Sequence, residues 1–255
     1  MGSKFILTFI GLLLIQISSF SSETKQVIKI GFFILPGITF EDENKQPKGA
    51  LIEFYTDYVF KNLPYEVKFL GYPYSRMLKE IESGEIDMIA VTSSDKIKMN
   101  FITGKSVLHK NKNFIITRND FPYKEITAAS QLRNYVIWIR QDSALCPFMA
   151  KNLHKFKVEY SPGKNSVEYV TKRLISKRID AIYALNILPL LYVIKKENIF
   201  DQIKVVKIPG QEQSVFAGYS KKLDKKIRDR IEKEILINNK DNKIEKIFKK
   251  YLSNN

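Results

Sequence analysis

The chain has 255 residues, 42 Lys or Arg against 27 Asp or Glu, a formal charge of +15 and a single cysteine. That length holds one large domain or two lobes of about 100 residues each, and a lone Cys146 excludes an internal disulfide framework. The charge does not point to nucleic acid: only eight of the basic residues are Arg and the Lys are mixed with acids throughout, as in residues 225–234, whereas phosphate recognition favours clustered Arg.

In chain order, residues 5–17 form an apolar run broken only by Thr8, Gly11 and Gln16, preceded by one Lys and followed by Ser18, Ser19, Phe20, Ser21 and Ser22. This reads as a cleaved secretory signal over residues 1–21, with Ser19 and Ser21 as the small residues before the cut. The alternative is a membrane anchor, but the run is shorter than the ~20 apolar residues a spanning helix needs. No Cys lies near the cut, so a lipid-modified N-terminus is not expected. Export places the mature chain in the periplasm, without disulfides, and Cys146 between Leu145 and Phe148 reads as a structural thiol.

Residues 27–35 (VIKIGFFIL) predict a buried first strand ended by Pro36-Gly37, and residues 41–48 a polar turn. Leu51, Phe54, Tyr55, Tyr58 and Val59 recur at helical spacing over residues 50–62. A second strand at 65–70, a helix at 75–83 stopped by Gly84, and a strand at 86–91 complete a β-α-β-α-β unit. The next strand is residues 113–117. A second cycle follows, with strands at 136–139, 158–160 and 179–184. Its helices are expected from Arg140 to about His154, with Asp142 or Ser143 as the cap, and at 166–176 and 187–195. Strands at 203–206 and 213–219 and two amphipathic helices, around 223–235 and 244–251, close the chain.

The two cycles share a phrase: LKEIESGEIDMIA from Leu78 and LISKRIDAIYA from Leu174, each a helix, a polar break, Ile-Asp and a buried strand. Asp87 and Asp180 in these phrases read as structural acids. Two similar α/β halves imply two lobes with a cleft between them.

In this order, IKIGFF, EDENKQPKGALIEF, LKEIESGEIDMIAV, FIITR, RIDAIYA and the closing FKKYL make the chain resemble the extracellular solute-binding proteins of family 3, the periplasmic component of polar amino-acid ABC transporters. The resemblance spans nearly the whole mature chain. It implies an α/β, two-lobed type II periplasmic-binding fold, with two open, mostly parallel sheets joined by two crossover strands, here residues 113–119 and 214–220. Lobe one would comprise residues 22–116 with 217–255, and lobe two residues 117–216. It also implies a monomer that binds a small-molecule ligand and delivers it to an inner-membrane ABC permease, with no cofactor, no metal and no nucleic acid.

The chain departs from the family at the ligand. Amino-acid binders place an Arg shortly after the third strand to clamp the α-carboxylate; here that turn is Thr92-Ser93-Ser94-Asp95-Lys96. They place an Asp in lobe two for the α-ammonium; here the stretch is Tyr183-Ala184-Leu185-Asn186. The residues expected at the cleft are Phe40, Tyr72, Tyr74 and Arg76, then Thr92 and Ser93, then Arg140 and Ser143 at a helix start, and Tyr183 and Asn186 on the opposite wall. The aromatics serve equally as packing residues, and Arg76 as a surface residue. Aromatic, polar and two Arg side chains together point to a small organic ligand with an anionic part. The runner-up is an uncoupled sensor or accessory protein whose ligand site is altered or lost.

An enzyme is not expected. His109 and His154 stand in unrelated surroundings, and there is no His-Glu-x-x-His, paired Cys, Gly-x-Ser-x-Gly or phosphate-cradling Gly loop.

Overall fold

The computed structural model describes residues 25–93, 100–140, 145–161, 166–184, 186–210 and 212–253. The expected signal segment, Ser94 to Lys96, Asp142, Ser143 and Leu185 lie outside the described residues.

The first half builds β1 (Gln26–Phe32), the short hairpin strands β2 (Phe40–Glu41) and β3 (Pro47–Lys48), then α1 (Ala50–Phe54), which runs on into a π-helical turn over Tyr55–Val59. β4 (Tyr65–Gly71), α2 (Tyr74–Ser83), β5 (Met88–Ser93), β6 (Phe101–Thr103) and β7 (His109–Asn111) follow. β1 pairs parallel with both β4 and β5. The chain then crosses to a second sheet through β8 (Phe114–Arg118), β9 (Val136–Arg140), α3 (Pro147–Asn152), β10 (Lys157–Ser161), α4 (Ser166–Ile175), β11 (Ala181–Ala184), α5 (Leu188–Lys196) and β12 (Ile203–Lys207). It returns as β13 (Gln213–Ser220) and ends in α6 (Lys225–Lys240) and α7 (Lys243–Ser253).

The two sheets have one plan. The first runs β4-β1-β5-β13-β6 and the second β10-β9-β11-β8-β12. In each, three parallel strands meet an antiparallel strand contributed by the crossover, β13 against β5 and β8 against β11. Each lobe therefore borrows one central strand from the segment that joins it to the other.

The repeated phrase explains why the halves match. Asp87 Oδ2 accepts the Lys29 N–H at 2.8 Å, and the Asp87 N–H donates to Lys29 O. Asp180 does the same with Val136: Oδ2 accepts its N–H at 2.9 Å and the Asp180 N–H donates to its carbonyl. In both lobes an Ile-Asp corner ties the third parallel strand to the first, at the middle of β1 and at the start of β9. Gly84 ends α2 at φ 78°, a left-handed conformation that glycine adopts without a Cβ penalty.

α2 buries Met77 and Ile81 against Ile86, Ile89 and Phe101. On the other side of the first sheet, Ile28, Ile30 and Phe32 pack with Phe54, Tyr55, Ile231 and Phe248, so α1, α6 and α7 share one core. The Tyr55 hydroxyl, fully buried, donates to Ala90 O at 2.7 Å.

One helix starts later than its sequence implies. β9 runs through Arg140, and α3 begins at Pro147 with Cys146 in extended conformation before it. Proline's fixed φ and missing N–H suit the first helical turn, and it forces the preceding residue out of the helical region, so Pro147 outranks Asp142 and Ser143 as the start signal.

His109 on β7 and Glu245 on α7 link the crossover region to the C-terminal helix, Nδ1 to Oε1 at 2.5 Å. That hydrogen bond, with help from Lys249 and Lys112, holds the Glu245 carboxyl below its ordinary value of 4.5. A depressed carboxylate contributes stability above its unfolded value, and the contribution is lost as pH falls through the folded one. Glu245→Gln is therefore expected to melt below the parent at neutral pH, with the gap closing below about pH 4.5. Melting curves at several pH values check this, and a gap that stays constant into acid overturns it.

Candidate functional site

In open α/β sheets ligands bind outside the carboxyl ends of the parallel strands. Here those ends are Phe32, Gly71 and Ser93 in the first sheet and Arg140, Ser161 and Ala184 in the second. The segments leaving them meet. Phe40, after β1, brings its ring to 5.7 Å from that of Tyr192, one turn into the helix that follows β11. A Cβ at Gly37 would stand 2.8 Å from the same Tyr192 ring, so the glycine admits it. Leu188, one turn before Tyr192, packs into the core of the first lobe, while Leu190 and Ile194 on the other face of α5 belong to the second. α5 thus brings the two carboxyl edges together.

Around this edge the first sheet supplies an aromatic wall. Tyr74 stands edge-on to Phe33, centroids 5.2 Å apart at 75°. Tyr72 follows β4, with its N–H donated to Phe32 O at 2.8 Å, and carries the Arg76 guanidinium 5.5 Å from its ring centroid. Arg76 is also paired with Glu80 one turn on, Nε to Oε1 at 3.1 Å, and its side chain is 67% exposed. Thr92 and Ser93 close β5 opposite Phe216 and Val215 of β13, with Thr92 buried and Ser93 half-buried.

The second sheet supplies less that is open. Arg140 ends β9, half-buried, opposite Ser161 of β10. Asn186 caps the next helix, its Oδ1 accepting the Leu188 N–H at 2.9 Å. Tyr183 is only 3% exposed, and its hydroxyl accepts the Cys146 N–H at 2.8 Å. Burial pushes that hydroxyl well above its ordinary pKa, and the neighbouring Cys146 thiol adds to the rise. The same bond occupies the N–H just before α3. Ser143 lies outside the described residues.

The structure therefore gathers Phe40, Tyr72, Tyr74, Thr92 and Ser93 at one carboxyl edge and Arg140 and Asn186 at the other, while Tyr183 points into the second core. Sequence reasoning missed Phe33 and Tyr192. Both carry an apolar pattern that reads as ordinary strand or helix packing; what sets Phe33 apart is its ring contact with Tyr74, and what sets Tyr192 apart is its contact with Phe40 across the lobes. A depression of ≈ 230 Å³ lies elsewhere, lined by Thr171, Ile175, Glu197 and Ile199 near the amino end of β11. It is smaller than the ~300 Å³ of ordinary ligand sites.

The model of the bacterial extracellular solute-binding proteins, family 3, matches residues 28–254. The chain belongs to that family. The family member also shares its fold with solved structures. It superposes on the periplasmic domain of BvgS from B. pertussis with TM-score 0.70 at 13% identity, covering 89% of this chain and 43% of that one. It superposes on a histidine kinase sensor domain with similarity to periplasmic binding proteins at TM-score 0.71 and 19% identity, over 90% and 97% of the two chains. A putative L-cystine ABC transporter protein from Listeria monocytogenes gives 0.67 at 19% identity, over 89% and 96%. At these identities the likeness is one of fold. No curated protein matches the sequence. Among the described residues no helix is long and apolar enough to cross a membrane.

Proposed function

We propose that this solute-binding protein is exported by cleavage of residues 1–21, binds a small polar solute with an anionic part in the cleft between its lobes, and delivers it as a monomer to an inner-membrane ABC permease. The family match over residues 28–254 carries this reading. The lobes are residues 22–116 with 217–255, and 117–216, and the cleft lies where Phe40 meets Tyr192. Tyr72, Tyr74 and Phe40 form the apolar wall, with Arg76 steadying Tyr72; Thr92 and Ser93 supply hydrogen bonds. Arg140, with Ser143 after it, takes the anionic part from the second lobe, whose Tyr183 and Asn186 shape the wall behind it.

A second reading, a sensor without a permease, is favoured by Asn186. The stretch Tyr183-Ala184-Leu185-Asn186, which matches the one where amino-acid binders carry the acid for the ammonium, has no acid, and the Asn186 side-chain oxygen is already taken by the Leu188 N–H. The fold likeness to a kinase sensor domain fits that reading as well.

A thermal-shift screen with amino acids, amines, organic acids and short peptides tests binding. A solute at about 100 times its dissociation constant adds about 2.7 kcal/mol, or roughly 5–10 °C for a chain of this size. Arg140→Ala is expected to remove that shift, and because Arg140 is half-buried the unliganded melting point of the variant is read beside it, so that loss of binding is told apart from loss of the fold. No shift with any solute class sinks the binding reading. Binding without capture of a permease from solubilised inner membrane supports the sensor instead.

A further inference from the structure

α6 buries one stripe and leaves the rest of its surface open. Ile227, Ile231 and Ile235 enter the core of the first lobe. At about 100° per residue the exposed positions fill one arc on the opposite side. Five of them are cations: Lys225, Lys226, Arg230, Lys233 and Lys240. One is an acid, Asp229, 4.0 Å from Arg228 Nε. The other two are Leu236 and Ile237, 49% and 45% exposed.

The core does not need this pair, because the buried stripe at i, i+4 and i+8 is complete without it. Of the exposed large apolar residues among those described, Leu236 and Ile237 are the two that are consecutive in the chain. Lys233 lies one turn before them and Lys240 one turn after, so cations flank the aliphatic pair on both sides. Long Lys side chains lie along apolar neighbours and carry their charge beyond them. Arg230 is held at the same face, its Nη1 donating to the Tyr65 hydroxyl at 3.3 Å. A partner that suits this face is anionic at its outer layer and apolar beneath. A nucleic acid would meet the charges and leave the aliphatic pair in water, and four of the five cations are Lys rather than the Arg that phosphate recognition favours. A bilayer with anionic headgroups takes both kinds of side chain.

We propose that the outer face of α6 rests on an anionic lipid bilayer, with its Lys and Arg among the headgroup phosphates and Leu236 and Ile237 at the boundary with the acyl chains. The contact uses none of the residues assigned to the solute, so it stands or falls apart from the cleft-binding reading. Its charges act within a Debye length of the bilayer, so the contact is reversible and weakens with salt.

The test is sedimentation with vesicles of phosphatidylcholine alone or mixed with an equal part of phosphatidylglycerol, at low and high salt. It uses the protein without residues 1–21, which precede every described element. The parent is expected to bind the mixed vesicles at low salt, to leave them as salt rises and to ignore phosphatidylcholine alone. Lys233→Gln with Lys240→Gln should weaken binding about 5-fold per charge. Lys151→Gln with Lys157→Gln, both exposed on the second lobe, removes the same charge and should leave binding nearly unchanged. Leu236→Ser with Ile237→Ser alters no charge and should weaken binding by about 5-fold or more. Melting curves accompany every variant. Should the serine pair melt early, Leu236→Trp decides: its emission should shift to the blue on mixed vesicles, while that of Trp138, buried in the second lobe, stays fixed. A parent that binds neither vesicle, or both equally, overturns the proposal. So do equal losses from the two lysine pairs, undiminished binding by a folded serine pair, or an unshifted Leu236→Trp emission.

Discussion

Asp180→Ala is expected to lower the melting temperature by about 6–12 °C, and Asp87→Ala, at the equivalent corner of the other lobe, by only about 2–4 °C. Both substitutions free one strand N–H, of Val136 or of Lys29. Only Asp180 has a second duty. Its Oδ1 lies 3.1 Å from the Arg118 Nη2, and Arg118 also donates through Nη1 to Leu174 O and Ile179 O. The Arg118 side chain is 18% exposed, so removing the acid leaves a mostly enclosed guanidinium with Asp120, 3.5 Å away, as its remaining counter-ion. Breaking such a pair costs about 3 kcal/mol, while losing one partly solvated backbone acceptor costs about 1 kcal/mol. For a chain of this length each kcal/mol is worth roughly 2–4 °C. Equal losses at the two corners would show that Arg118 contributes nothing.

Glu232→Ala is the other substitution with a large expected effect, about 3 kcal/mol, against about 1 kcal/mol for Glu232→Gln. From α6, Glu232 Oε1 accepts the Tyr219 hydroxyl at 2.6 Å, and Oε2 accepts the N–H groups of Lys105 at 2.9 Å and Ser106 at 2.6 Å. Tyr219 is fully buried on β13, and burial together with the Glu232 charge pushes its hydroxyl well above its ordinary pKa. Alanine leaves three donors, and those of Tyr219 and Ser106 are shielded from water. Glutamine keeps one acceptor for the backbone pair and turns its amide toward a hydroxyl able to accept. Denaturant curves on both variants separate the cases; alanine and glutamine variants of equal stability would mean that water replaces the carboxylate.

The two-lobed plan was legible in the sequence because it is written twice. The Ile-Asp corner recurs, and Asp87 and Asp180 make the same pair of hydrogen bonds. Strand and helix order followed from periodicity. The start of α3 did not: Asp142 and Ser143 have capping chemistry, but Pro147 has the geometry. At the site, position along the chain indicated which residues leave a carboxyl edge, as for Tyr74 and Ser93. It said nothing about where a side chain in a fully buried strand turns, and Tyr183 turns inward to Cys146. Tyr192 was invisible for the opposite reason. Its helix buries both faces, one in each lobe, and a sequence records only that both are apolar.

The place of β13 has a consequence for how the molecule is made. It lies between β5 and β6 in the first sheet, yet it is synthesised after the whole of the second. A chain emerging from its N-terminus can complete the second lobe from contiguous residues, while β5 waits with one edge unpaired and α6 and α7 absent from the first core. Open strand edges and uncovered apolar surface are what nascent chains aggregate through. The second lobe can thus be completed before the first, and the vulnerable interval lasts until β13, α6 and α7 arrive.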